Sequence, residues 1–457
     1  MTKDLTNGKP MKLILNFAVP LLFGLLFQQL YNLVDTMIVG LYLGVDDLAA
    51  VGSTGCINFM VIGFCMGVCN GFAIPVSHKF GAKDYQGMRK YVANCVWLGI
   101  VFSIILTVVT ALLCRDILTL MKTPDNIIDG AYNYIFVIFL GIPTVFLYNI
   151  VAGVIRATGD SKTPVIFLVL SSVINIALDL VFLICLKMGV AGAAWATVIS
   201  QGVSGVACLV YMVKKFEILR IRKGEWKFEG HMALELCNMG VPMGLQYSIT
   251  AIGSVVLQTA ANTLGSNAVA AMTAASKLGN FFACPLDALG STMATYGGQN
   301  VGAGKLERIG KGLKSCLILG IGYSVIAFAI AALFGGKLSM LFVSGGETEI
   351  IRNSHMYLII NTGFYFLLAL VNIVRFLIQG MGFSGVAIFA GVFEMVARSI
   401  AGFGLVPIIG FVGVSLGSPI AWLMADMFLI PTYFYACRKL RRQMGYPVKG
   451  KVSKVGA

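Results

Sequence analysis

Long apolar stretches alternate with short polar turns from one end of this chain to the other. A helix that crosses a bilayer needs about 20 mostly apolar residues. Runs of that kind start near Leu13, Leu48, Tyr91, Ala131, Val165, Val190, Cys237, Ala268, Ser315, Met356, Val386 and Val414. Helices are predicted rather than barrel strands, because lipid offers the backbone no hydrogen-bond partners and the runs are too long and uniform for strand alternation. The first run follows Lys3, Lys9 and Lys12; it is too long for a signal peptide and no small-residue cleavage site follows it, so it reads as a retained helix.

The pattern repeats. "AVP" at 18–20 falls on "GVP" at 240–242, "LGVDDLAAVG" at 43–52 on "LGSNAVAAMT" at 264–273, "FGAKDYQGMRKYVANC" at 80–95 on "VGAGKLERIGKGLKSC" at 301–316, and "GVAG" at 189–192 on "GFVG" at 410–413. An offset of about 222 residues throughout predicts a duplication. The expected fold is an all-α integral membrane protein, with twelve transmembrane helices in two pseudo-twofold-related six-helix lobes around a central cavity. Its parts would be an N-terminal lobe (1–213), a cytoplasmic linker (214–236), a C-terminal lobe (237–437) and a basic cytoplasmic tail (438–457). Halves with an even number of spans both begin on the same side, the arrangement of secondary transporters that rock around a central site.

Composition agrees: with 58% hydrophobic residues, 12% charged residues and mean hydropathy +0.86, the chain lies outside the range of soluble domains. Basic residues sit unevenly. One side collects the N-terminal segment, 79–90, 156–162, 214–227, 305–314, Arg375 and the tail, while the other holds Arg115, Lys122, Lys187, Lys337 and Arg352. That asymmetry places both termini in the cytoplasm. It also accounts for the net charge of +14 through topology and anionic headgroups, and leaves no nucleic-acid partner to invoke.

Other chemistries find little support. The eleven cysteines are scattered through apolar helices, as small buried side chains would be, and His78, His231 and His355 show no ligand spacing, so no metal site is expected. "GAGK" at 302–305 lacks phosphate-loop spacing and is followed by Leu306, so ATP is not the predicted energy source. An intramembrane enzyme would need a nucleophile with a base, or a metal set, at membrane depth, and none is visible.

What remains is charge inside the bilayer. Asp35 lies in the first run and Asp179 in the fifth, and their repeat partners, near Val256 and Ile400, are apolar. A carboxylate there is costly and marks a functional site by default. Gly24, Gln28, Asn32 and Asp35 share one helical face, Asn175 and Asp179 are four apart, and Thr197, Gln201 and Ser204 line the sixth helix. Tyr134 and Asn149 add polar groups from the fourth. Gln246, Thr250, Ser254 and Gln258, at steps of four, would face the cavity from the seventh. Glu394 and Arg398 have the spacing of a structural ion pair. Lys277 and Asp287 are too far apart along one helix to pair; Asp287 would attract cationic substrates, and Asp426 in the last helix is open to either role.

"QQLYNLVDTMIVG", "SHKFGAKD", "RATGDSKTP", "NIALD", "GAAWATVISQ" and "GGQNVGAGK", in this order along essentially the whole chain, resemble the multidrug and toxic compound extrusion (MATE) family. The resemblance implies efflux of cationic or amphipathic organic compounds from a bacterial cytoplasmic (inner) membrane, by alternating access, in exchange for H⁺ or Na⁺ and without a cofactor. It implies that Asp35, Tyr134, Asn175, Asp179 and Thr197 couple the ion, with transient Na⁺ at Asp35 and Asp179. Gln28, Asn32, Asn149, Gln201, Gln246, Thr250, Gln258 and Asp287 are the expected cavity residues. One family branch carries a glutamate in helix seven and an aspartate in helix ten; this chain has Thr250 near the first place and no acid between Met356 and Val374. A lipid-linked precursor flippase of similar architecture is the alternative, although it calls for a cationic cavity where the charges here are mainly acidic.

Overall fold

The computed structural model describes residues 2–121, 123–340 and 348–445, without the side chains of Val45 and Asp46. Lys122 and the basic stretch beyond residue 445 therefore lie outside the described residues. The described chain is helical: α1 (Pro10–Tyr42), α2 (Val45–Ser53), α3 (Gly55–Gly81), α4 (Tyr85–Leu120), α5 (Ile128–Leu140), α6 (Ile142–Ala157), α7 (Lys162–Leu180), α8 (Val190–Lys215), α9 (Gly230–Asn262), α10 (Ser266–Gly302), α11 (Leu306–Ser339), α12 (Thr348–Gly363), α13 (Tyr365–Gly380), α14 (Ser384–Ile400), α15 (Val406–Ile409) and α16 (Phe411–Gln443).

Nine of these helices, some counted with short extensions, are long and apolar enough to cross a membrane. Two further spans are bent pairs, α5 with α6 at 45° and α12 with α13 at 51°. The 37-residue α10, rich in Ala, Gly, Ser and Thr, is long enough but less apolar; counted as a span, it gives the expected twelve.

The duplication is written into the backbone. Gly44 and Gly265, both at φ 95°, open corresponding helices, as do Gly189 (φ 62°) and Gly410 (φ 59°). Wide π-type turns at Val181–Cys185 and Ala401–Leu405 follow α7 and α14 at the same relative place. Each half breaks its fourth span once, at Gly141 and at Phe364.

α1 belongs to both halves. Ile14, Phe17, Ala18 and Leu21 are buried in one core with Leu286, Leu289 and Met293 of α10, whereas Ile38 and Val39 are buried in the core of the first half. Leu25 still packs on the first of these cores and Val34 on the second, so the helix changes allegiance between them, after Pro20.

The halves close against each other at the end of the bundle that carries the N-terminal segment. Gln299 Nε2 donates to the Ala157 carbonyl (2.9 Å), and His78 Nε2 donates to the Gly380 carbonyl (2.8 Å). A Cβ on Gly302 would stand 1.9 Å from the His78 carbonyl oxygen, and one on Gly71 would stand 2.4 Å from Gly240 Cα, so α3 and α9 touch backbone to backbone. Towards the other end they part: Gly55 faces open space, and Gly253 packs on Met395 and Arg398 of its own half. The two halves therefore part away from the N-terminal segment.

That segment straps the closed end. Lys3 N donates to the Thr158 carbonyl (3.0 Å) and Leu5 N to Gln299 Oε1 (2.9 Å), while Lys305 Nζ donates to the Thr6 carbonyl (3.0 Å) and Arg308 Nη2 to that of Gly8 (2.9 Å). Behind α8, residues 216–229 return along α4. There Glu225 accepts two bonds from Arg89 (both 2.8 Å), and this guanidinium holds its carboxyl down at about 2. α9 begins at Gly230, seven residues before the predicted start of the seventh span.

Candidate functional site

α1 brings Asp35 to face Asp179 of α7 within hydrogen-bonding reach, in the half of the bundle where the lobes stand apart. Asp179 is fully buried and Asp35 half-buried; both oxygens of Asp179 and Oδ1 of Asp35 have no donor. Asn175, one turn before Asp179, donates through Nδ2 to Thr197 Oγ1 (3.2 Å), and its own Oδ1 is buried without a partner. Thr197 donates to the Ala193 carbonyl (3.1 Å). The Tyr134 ring of α5 is buried, and its hydroxyl lies close enough to both acids to feel their charge.

All five residues expected to hold the coupling ion thus converge, from four helices. Tyr31 joins them. Its hydroxyl lies 3.4 Å from Thr197 Oγ1 and near both acids. Sequence reasoning passed over Tyr31 although it lies four residues before Asp35, on the same helical face.

Chemically, the cluster is a set of acceptors short of a positive charge. Two facing carboxyls cannot both remain ionised without a cation between them. A shared proton, or a metal cation held by the carboxylates with the Asn175 amide oxygen, satisfies the orphaned atoms. Among the described residues no group of three His, Cys, Asp or Glu side chains is placed to hold a metal ion, so any metal held here would rely on neutral oxygens.

The remaining polar positions are dispersed. Asn32 is exposed, Gln28, Asn149 and Gln201 are half-buried, and Asn149 donates to Val145 of its own helix (2.9 Å). Ser204 is buried and donates to the Phe167 carbonyl. In α9, Ser254 is exposed and bonds back to the Thr250 carbonyl, and Gln258 donates to Asn262 (3.1 Å). Gln246 departs from expectation: only 4% exposed, it is hydrogen-bonded to the Gln379 amide and lies against Arg375 instead of facing open space. Helical spacing gave the right face, but α13 covers it at that level.

The second half holds a charged network that the sequence only hinted at. Arg375, counted above among the basic residues of one side, is instead buried in α13, where Nη1 donates to Glu394 Oε1 (2.8 Å) and Nη2 to Asn372 Oδ1 (3.0 Å). Glu394 and Arg398 do pair, at 3.6 Å, so Arg375 is the closer partner. Asn372 Nδ2 donates to Asp287 Oδ1 (2.7 Å), and the accessible Asp287 presents the end of this chain of contacts to the cavity.

Comparison with known proteins places this geometry. The MatE family profile matches residues 20–181 and again 242–424, once in each half. The probable multidrug resistance protein YoeA of Bacillus subtilis (strain 168) is 29% identical over 436 residues, 93% of either chain, and YpnP of the same strain, also named a probable multidrug resistance protein, is 30% identical over 78% of this chain and 79% of its own. An FAD transporter of Shewanella oneidensis is 22% identical over 72% of this chain and 74% of its own. Among solved structures, a crystal structure of MATE in complex with MaL6 superposes with a TM-score of 0.89 at 22% identity, covering 97% of this chain and all of that one. The outward-facing conformation of a multidrug resistance MATE family transporter superposes at 0.87 and 22% identity, covering 96% and 98%.

Proposed function

The chain belongs to the MatE family, a family of transporters and not of enzymes, and from that premise we propose that it is a secondary antiporter that exports cationic or amphipathic organic compounds in exchange for H⁺ or Na⁺. The observation that carries the proposal is the facing pair Asp35 and Asp179, short of one positive charge, with Asp35 on a helix that packs with both halves. In this reading the end strapped by residues 2–8 is cytoplasmic, as the excess of Lys and Arg on that side requires, and the cavity opens outward. The membrane is the bacterial inner membrane.

The cycle follows from charge. An ion entering from outside neutralises the acid pair and removes the repulsion between the facing carboxyls of Asp35 and Asp179. α1 then rearranges against α7, narrows the cavity and displaces the bound compound outward. Because α1 is also built into the second half, its movement loosens the closed end and releases the ion to the cytoplasm. Each elementary charge moved inward contributes about 2.3 kcal/mol per 100 mV. Asp287, Gln28, Asn32 and Gln201 are the polar groups offered to the transported compound.

Dye efflux from everted vesicles under an imposed pH or sodium gradient tests this. Wild type should export ethidium under one of the two gradients and Asp35→Asn under neither. A flippase would give no dye movement in either protein, which would overturn the proposal.

A further inference from the structure

Asp426, in the middle of α16, is 3% exposed and neither of its carboxyl oxygens has a hydrogen-bond partner. Arg375, Arg398 and Tyr357, on helices packed against α16, have other partners. Arg375 of α13 spends Nη1 on Glu394 and Nη2 on Asn372, and its Nε meets the Gln246 amide oxygen at 3.2 Å once that amide is turned to satisfy its neighbours. Arg398 of α14 is held by Glu394 and by the Thr250 carbonyl. The Tyr357 hydroxyl of α12 is shared with Ser276 and Ser418. Among the described residues, Arg375 and Glu394 lie close enough to act on Asp426 electrostatically, one attracting and one repelling it. Two guanidinium groups thus stand against the three carboxyls Asp287, Glu394 and Asp426.

We propose that Asp426 is a second proton-binding site, seated in the second half of the chain and linked through Arg375, Asn372 and Asp287 to the cavity. A carboxylate with two unpartnered oxygens away from water costs several kcal/mol, and a proton removes that cost. A metal cation fits badly, because the Arg375 guanidinium stands beside the site and no three-ligand group is present among the described residues. The step is simple addition of H⁺ to a carboxylate oxygen, with no other bond broken. When the proton leaves, Arg375 is the group that can turn from Asn372 to compensate the new charge, which frees Asp287 to hold a cationic compound. The site is separate from Asp35, which lies 391 residues away in sequence and in the other half.

The full chain in lipid nanodiscs, followed by infrared difference spectroscopy between neutral and alkaline pH, reads carboxylic-acid carbonyl groups directly. Asp426→Asn, isosteric with the protonated acid, should remove a share of the carboxylic-acid band that Asp35→Asn leaves in place, and should lose efflux driven by a pH gradient. Asp426→Glu should shift that share in frequency and retain it, which keeps the question answerable if the amide variant folds poorly. An unchanged band in Asp426→Asn, or unchanged gradient-driven efflux, overturns the inference. Loss of the Asp426 share with an inactive wild type in vesicles would instead strike at the proposed antiport and leave this site standing.

Discussion

Tyr31 and Asp35 occupy successive turns of one helical face, and the difference between them shows how unequal the site's members should be. Asp35 supplies a charge that nothing else in the cluster replaces, so Asp35→Asn should abolish ion-driven dye export while leaving the protein folded, and Asp179→Asn should do the same. The Tyr31 hydroxyl offers one long contact to Thr197 at 3.4 Å. Tyr31→Phe should therefore cost no more than ~1 kcal/mol, about fivefold in export rate. Rates measured side by side in vesicles check both, and equal losses in Tyr31→Phe and Asp35→Asn would contradict this ranking. At this scale the sequence was informative where spacing along one helix decides: Asn175 and Asp179 line one face and Glu394 pairs with Arg398, because residues four apart lie on the same side. It was silent where packing decides. Arg375 ended an apolar run and looked like a loop cation, yet it pairs with Glu394 from a neighbouring helix.

Between elements, glycine decides how near two helices come. Gly63, Gly67 and Gly71 recur every fourth residue on α3, opposite Gly240 and Gly244 of α9, the small-residue spacing that lets membrane helices touch. The spacing is plain in "GFCMGVCNG", but nothing in the chain says which other helix it meets. A methyl group on Gly71 would strike backbone, so Gly71→Ala should lower stability by about 1–3 kcal/mol, visible as a fall in thermal midpoint. Gly322→Ala on α11, where a Cβ meets nothing within 4 Å, should be neutral or slightly stabilising in the same assay. The π-type turns after α7 and α14 had no signature in the sequence at all. The connector between the halves carries a prediction of its own. Glu225 falls from its ordinary 4.5 to about 2 because Arg89 donates to it, so the folded form binds its proton more weakly. This contact stabilises fully above pH 4.5 and is lost as pH drops through about 2. Thermal midpoints measured down that range should decline less steeply in Glu225→Gln, which starts lower.

For the molecule as a whole, the duplicated pattern announced twelve spans and two related halves, but which end would be closed depended on contacts between segments hundreds of residues apart. Leu5 meets Gln299, Lys3 meets Thr158, and Gln299 in turn reaches Ala157, so residues 2–8 tie both halves to each other at one end. A strap of this kind biases an equilibrium: it stabilises the form in which its partners are adjacent and adds nothing once they separate. Each of its bonds contributes about 0.5–1.5 kcal/mol net, and together they exceed the ~1.4 kcal/mol that changes a population tenfold. Removing residues 2–8 should therefore speed amide hydrogen exchange at least tenfold around 157–160 and 299–305, and leave α7 near Asp179 unchanged. It should also weaken outward release, because the form open to the outside would be less populated. Exchange that stays at the wild-type rate in both loops would mean that the backbone contacts among Gly71, Gly240, His78 and Gly302 hold the closed end without help, and that the N-terminal segment merely rests on a gate already shut.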